Sequence, residues 1–434
     1  MPVPLRLVLI GDAESPHLLK WAVALARSRD IELWAASSRG FSAEFEALLP
    51  AERRLALGAS VDPAGGNLHL LKSLPRLAAW LRQVDADWLH AHYLTSHGTL
   101  AWLAQRGWRL RAQLVGSAWG SDILLAPERS WLYRSITQRV LRACALTTSD
   151  SAHMARRMTE LGAREVMTFP FGLDALPPLP GPKQPWLFYA NRALEPLYRP
   201  ERVLALFAAV ARVQPEARLL MANGGSLADA LPAQALALGL SVGTLAGGQQ
   251  VELAGRLDAA KQAQWYARAQ WFISLPRSDS VSVSVLEAMA HGCIPLLSDL
   301  PANRELVRGV ANGMDGESSA SDANGADDAN GANDTNDTND TNDTNGTNGT
   351  NGTNGTDGTD GTDGANGANG TDGEISANGA IVAGTDCSMR GVLLPLQRRA
   401  VAIAHDNRRW VAEHALFAPA VARFIERLRA LSSA

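Results

Sequence analysis

Short apolar runs, each closed by turn residues and followed by a stretch with helical spacing, recur along most of this 434-residue chain. That alternation is the pattern of parallel strands joined by crossover helices, because a strand buried on both faces reads as a continuous apolar run. LRLVLIG at 5–11 reads as a first strand. Ser15 then N-caps a helix that has Pro16 at its first position and Leu18, Trp21, Ala22 and Leu25 on one face. IELWAAS (31–37), WLHAHY (88–93), QLVGSA (113–118) and ALTTS (145–149) continue the series. A Pro-rich linker, ALPPLPGPKQP (175–185), precedes a second series: WLFYAN, ARLLMANG, VELAG, QWFISL and CIPLLSD. Two such series predict an α/β protein of two Rossmann-like doubly wound domains facing a cleft, with ligands beyond the carboxyl ends of the strands. The expected divisions are 1–176, 177–405 and a final helix over 406–434 that packs back toward the first domain.

One segment breaks the pattern. From Asp328 to Asp372 the chain runs in triplets such as DTN, GTN and GTD. The tract lacks Pro, which excludes a collagen helix, and lacks the apolar positions of a calcium-binding solenoid. With nothing to bury, residues 313–378 are expected to form a disordered insertion between the halves of the second domain. The fourteen acidic residues from Asp315 to Glu374 lie in it, so the rest of the chain has about 40 basic against 30 acidic residues. A basic body suits a phosphate-bearing ligand or an anionic membrane surface; no nucleic-acid partner is expected. At 46% hydrophobic residues, with 12 Trp, a wholly disordered protein is excluded. Three scattered cysteines argue against a disulfide framework or a structural zinc site. The apolar start is too short for a signal segment, and no run spans a bilayer, so the expected location is cytoplasmic, with peripheral contact at the inner face of the membrane.

The loops at the strand ends carry the chemistry. The first, GDAESPH, lacks the dinucleotide-binding glycine spacing. Asp85-Ala86-Asp87 has the form of a metal-binding triplet but precedes a strand and reads as a helix exit. The densest stretch runs from Leu275 to Leu306, with a helix expected at 283–291 and Gly292 as its stop. Free N–H groups around Ser282 and Val283 are suited to a pyrophosphate. Asp279 and Glu287 stand eight positions apart, one on the loop and one inside the helix.

An acid, seven residues, a second acid, then LEAMA.G and a short strand ending in SD resemble the donor motif of the family-4 glycosyltransferases with the two-domain GT-B fold. SPH (15–17), HAHY (90–93), AWGSDI (118–123), FPFGLD (169–174), RALEPLY (192–198), MANGG (221–225) and ELAGRL (252–257) follow in the same order. The resemblance covers nearly the whole chain outside the Asn/Asp/Gly/Thr tract. It implies a bacterial polysaccharide or glycoconjugate type of enzyme. The implied reaction is retaining transfer of a sugar from a nucleoside-diphosphate donor to a saccharide or lipid-linked acceptor, with no cofactor and no metal. It assigns Glu287 to the ribose hydroxyls, Asp279 to the donor sugar, Arg192 to the departing diphosphate and the N–H groups at Ser282 and Val283 to its oxygens. Two departures stand out: the usual first acid is Glu where this chain has Asp279. The usual Lys five positions after the Arg is Leu197, leaving Arg199 as the nearest cation. His17, His92, Trp119 and Asp122 are the acceptor-side candidates.

Each assignment has a plainer counterpart. Ser284 to Glu287 spells a capping box, in which Glu287 only bonds the backbone of its own helix. The histidines and Trp119 also read as core residues. The stretches Trp131–Leu141 and Trp410–Leu428 mix apolar residues with Arg and fit either core-covering helices or an anionic bilayer. A non-catalytic nucleotide-sugar-binding scaffold and a nucleotide-sugar epimerase are the alternatives on the same fold.

Overall fold

The computed structural model describes residues 3–59, 68–312, 373–382 and 389–433. Most of the expected insertion lies outside the described residues. The first sheet contains β1 (Leu5–Ala13), β2 (Ile31–Phe41), β3 (Arg54–Ala56), β4 (Trp88–His92), β5 (Gln113–Ser117), β6 (Leu146–Ser149) and β7 (Val166–Thr168). Its order is β3-β2-β1-β4-β5-β6-β7 and its pairings are all parallel. The chain winds outward from β1 in both directions, which places a crevice at the carboxyl ends between β1 and β4.

The second sheet repeats the plan with β8 (Gln184–Ala190), β9 (Arg218–Ala222), β10 (Val251–Gly255), β11 (Ala269–Ser274), β12 (Ile294–Ser298), β13 (Gly373–Ile375) and β14 (Ala380–Val382). Its order is β10-β9-β8-β11-β12-β14-β13, with the switch between β8 and β11. Only β13 runs antiparallel, in a hairpin closed by Ser376 N–H donating to Gly379 O at 3.0 Å. The expected loop to residue 378 therefore stops short: Glu374 pairs with Ile381 in the sheet and its carboxylate meets Arg304 at 2.8 Å. Three-residue strands such as β3, β7 and β13 are too brief to show a period in sequence.

The segment expected as one final helix is two. Ala400–His414 packs on the second sheet, where Ile403, Trp410 and Val411 are buried. Phe417–Ser433 packs on the first, with Phe417, Phe424 and Leu428 buried around Trp21. Trp21 is fully buried and sits edge-on to Phe417 and Phe424 at 5.0 and 5.2 Å. Truncating such a residue to Ala opens a cavity costing about 3–5 kcal/mol. A bidentate Arg427–Glu165 pair at 2.6 and 2.7 Å and a bond from Trp88 Nε1 to Ser432 at 2.9 Å fix the last helix. Both Arg-rich stretches thus use their apolar faces in the core, except that Trp131 remains 80% and Leu132 50% exposed. Among the described residues no helix is long and apolar enough to cross a membrane.

The chain crosses between the sheets twice, side by side. Leu173 N–H donates to Ala415 O and Phe417 N–H to Leu173 O, both at 2.8 Å. A Cβ at Gly172 would overlap the Ala415 carbonyl, so this close approach requires glycine. Farther from the crossing, Glu305 accepts from Ala152 N–H at 2.9 Å, and Ser151 Oγ meets Ser280 Oγ at 2.9 Å. These contacts hold the carboxyl ends of the two sheets toward each other.

Candidate active site

A cavity of about 320 Å³ lies between those carboxyl ends. Its first-domain wall comes from the segments after β1, β4, β5, β6 and β7, which supply His17, Tyr93, Trp119, Asp150 and Phe171. Its second-domain wall comes from the segments after β8, β9 and β11, which supply Asn191, Arg192, Tyr198, Asn223, Asp279 and Val281–Ser284. The size and the convergent polar groups are those of a small-molecule site.

Arg192 organises the second-domain wall. Its Nη2 donates to Asp279 Oδ2 at 2.7 Å, its Nη1 donates to Ser282 Oγ, and its guanidinium lies 4.4 Å from the Tyr198 ring centre. A guanidinium clamped by a carboxylate and stacked on a ring is held in place before any ligand arrives. Asp279 also accepts from Ser280 N–H at 3.1 Å. Burial pushes its carboxyl upward, against the opposing pull of Arg192 and of that N–H bond. The helix Val283–Ala290 begins beside Arg192; Ser282 is its N-cap but its side chain caps nothing. The first-turn N–H groups thus face the cavity with positive partial charge next to a guanidinium.

That helix start excludes the capping box. Ser284 lies inside the first turn rather than at the N-cap, and Glu287 lies beyond reach of the helix start. Glu287 instead accepts from Tyr266 OH at 3.0 Å and lines an adjoining pocket of about 200 Å³ with Leu173, Pro177, Gln262 and His291. Burial raises its pKa, while the Tyr266 bond and the charge of Lys20 lower it. Asp279 and Glu287 therefore line two separate hollows. Arg199 has a different place from the one expected. It sits at a left-handed φ of 49° and gives its donors to Leu275 O and Pro276 O at 3.0 and 2.7 Å. It braces the loop that leads to Asp279 and does not line the cavity.

The four acceptor-side candidates divide. His17 and Trp119 line the cavity with ring centres 4.5 Å apart. His17 opens to solvent through the cleft, and surrounding protein with Lys20 and Arg192 draws its pKa down to about 4. His92 and Asp122 are buried behind them. His92 Nδ1 accepts from the Trp119 indole at 3.2 Å, and burial holds its pKa well below the usual value. Asp122 accepts from Leu94 and Trp119 N–H at 2.8 and 2.9 Å; burial raises its pKa against those bonds. Both hydrogen-bond to Trp119, and neither lines the cavity. The Asp85–Asp87 triplet is a helix exit: Asp85 ends Leu74–Val84 in the left-handed region and pairs with Arg111, and Asp87 accepts from Arg6 N–H.

Several cavity residues escaped sequence reading. Tyr93 and Asn223 hold φ of 64° and 92°; Asn enters the left-handed region readily, but for a Tyr it is costly, and such strain is concentrated at functional sites. Asp150 accepts from Ser280 Oγ across the domain boundary, and burial together with Asp279 raises its pKa to about 7. The available signal was positional: Asp150 directly follows a recognised strand.

Residues 6–151 match the family model described as glycosyl transferase 4-like, and residues 185–325 match the model of glycosyl transferases group 1. No curated protein matches the sequence. Among solved structures, the chain is similar to sucrose-phosphate synthase from Thermosynechococcus elongatus, at a TM-score of 0.63 and 12% identity, with 99% of each chain covered. It is also similar to HepE from Anabaena in complex with UDP, at 0.62 and 12%, covering 98% of this chain and 100% of that one. At these identities the likeness is one of fold.

Proposed function

This chain belongs to the family-4 glycosyltransferases of the GT-B fold, and from that premise we propose that it moves a sugar from a nucleoside-diphosphate donor to a saccharide or lipid-linked acceptor with retention of configuration. The observation that carries the reading is the Arg192–Asp279–Ser282 cluster at the start of Val283–Ala290. As the sugar–phosphate bond breaks, negative charge grows on the diphosphate. A preorganised guanidinium and helix N–H groups stabilise that charge without reorganising. In this reading the charge is met without a metal and the donor is a substrate, with no cofactor.

Glu287 would then hold the ribose in the smaller pocket and Asp279 the hydroxyls of the donor sugar. The aromatic first-domain wall of His17, Tyr93, Trp119 and Phe171 faces the acceptor, since sugar C–H faces pack on rings while hydroxyls point to polar atoms. UDP bound to HepE makes a uridine donor the first to try. The test is a panel of radiolabelled nucleoside-diphosphate sugars with mixed saccharide acceptors. Label on an acceptor or released by slow hydrolysis supports the reading. Binding without either favours a non-catalytic sugar-nucleotide protein, and conversion of the bound sugar to its epimer favours an epimerase.

The membrane-proximal form of the acceptor rests on exposed Trp131 and Leu132 beside Arg134, at the start of Trp131–Ala143. Sedimentation with anionic vesicles, weakened when Arg134 and Arg139 become Glu, is the expected result; no binding at low salt would remove the membrane from the proposal.

A further inference from the structure

The carboxylate of Glu287 does not stand alone in its pocket. Tyr266, on the helix Ala259–Arg268, is buried, stacked on His291 at 5.5 Å and set edge-on to Tyr189 at 5.0 Å. Its hydroxyl receives Asn191 Nδ2–H at 2.7 Å and lies 3.0 Å from Glu287 Oε2 and 3.2 Å from Ser284 O. A phenol has one proton, and an amide NH₂ offers no lone pair to take it. Asn191 therefore turns the Tyr266 proton toward Glu287 and the helix start, with the charged carboxylate the stronger acceptor. Asn191 itself lines the larger cavity, and its buried Oδ1 has no partner among the described residues. One chain of hydrogen bonds thus joins the two hollows.

We propose that Tyr266 is a positioning residue for donor binding, its hydroxyl aimed by Asn191 so as to fix the Glu287 carboxylate in the orientation that receives ribose hydroxyls. The inference rests on the donor reading above and adds to it a residue of the same pocket that acts through Glu287. The electrostatics agree with the geometry. Burial raises the pKa of Glu287, and the Tyr266 bond and Lys20 oppose that rise. Without the phenol proton, Glu287 takes up a proton at higher pH. The other groups facing it are Tyr189, whose pKa is raised, and His291, drawn down to about 4; Asp174 acts on Lys20. Ribose binding needs the carboxylate, so affinity is full above the Glu287 pKa and declines as pH falls through it. In Tyr266→Phe that decline begins at higher pH.

The test is calorimetric titration of the full chain with UDP, GDP and ADP from about pH 5 to about pH 8. It compares wild type, Tyr266→Phe, Glu287→Gln and the double variant. For whichever nucleotide binds wild type, Tyr266→Phe should weaken binding about 10-fold and move the acidic decline upward in pH. In the Glu287→Gln background the same change should do much less. Equal affinity at every pH, or the same loss in both backgrounds, would overturn the positioning role while leaving the donor reading intact. Failure of all three nucleotides to bind wild type would instead remove the donor reading, and the role of Tyr266 with it.

Discussion

Arg192 holds a bond to Asp279, a bond to Ser282 and a stack on Tyr198 at once, and under the proposed reading that fixed geometry stabilises a departing diphosphate. Arg192→Ala should therefore lower turnover by about 10² to 10³ with little change in thermal unfolding. Near-normal turnover would move the leaving-group role elsewhere, and not to Arg199, whose donors are taken by backbone carbonyls. Asp150 makes a prediction of opposite kind. Its pKa of about 7 in the folded protein lies above the ordinary 3.8. The folded state therefore binds the extra proton, and stability is fully present below the unfolded value and declines as pH rises toward about 7. Asp150→Asn keeps an acceptor for Ser280 and removes the titration. Its melting temperature should gain on wild type at about pH 8 relative to about pH 5. An equal difference at both pH values would show that Asp150 does not titrate in that window.

The elements that position the site were the most readable part of the chain. The runs read as β1, β4, β5, β6, β8, β9, β11 and β12 fall within a residue or two of their observed ends, because strands buried on both faces announce themselves by continuous apolarity. The helix read over 283–291 is observed at Val283–Ala290. What resisted reading depended on distant contacts. Tyr93 and Asn223 owe their place to left-handed backbone that surrounding structure imposes, Asp150 to a serine from the other domain, and His92 and Asp122 to a Trp that they brace. The hairpin of β13 and β14 belongs in the same group: only pairing with Ile381 turns Glu374 from tract into sheet. A deletion from 316 to 370 should leave expression and activity near normal. The tract has nothing to bury, and a loop shortened from about 60 to about 4 residues regains roughly 2.4 kcal/mol of closure entropy. Extending the deletion through 378 removes the β13 edge and the Glu374–Arg304 pair, and should lower the melting temperature. Identical stability of the two deletions would contradict a structural hairpin.

At the scale of the molecule, the chain joins the two sheets at two adjacent crossings, beside Leu173 and Ala415. The second sheet presents a charged, hydrogen-bonding wall and the first an aromatic one, and the cavity exists only where they meet. The central claim is that this meeting place and the smaller pocket beside it bind a nucleoside diphosphate, with Glu287 of the smaller pocket holding the ribose. The structure has excluded the capping box, so one substitution tests the claim: Glu287→Gln keeps the side chain's shape and an acceptor for Tyr266 but removes the charge. Hydroxyls donating to a carboxylate form bonds worth roughly 1.5 to 3 kcal/mol. Calorimetry with the nucleoside diphosphate that binds wild type should accordingly show affinity about 10- to 100-fold weaker in Glu287→Gln, with an unchanged melting temperature. Equal affinity in the two proteins would contradict the account.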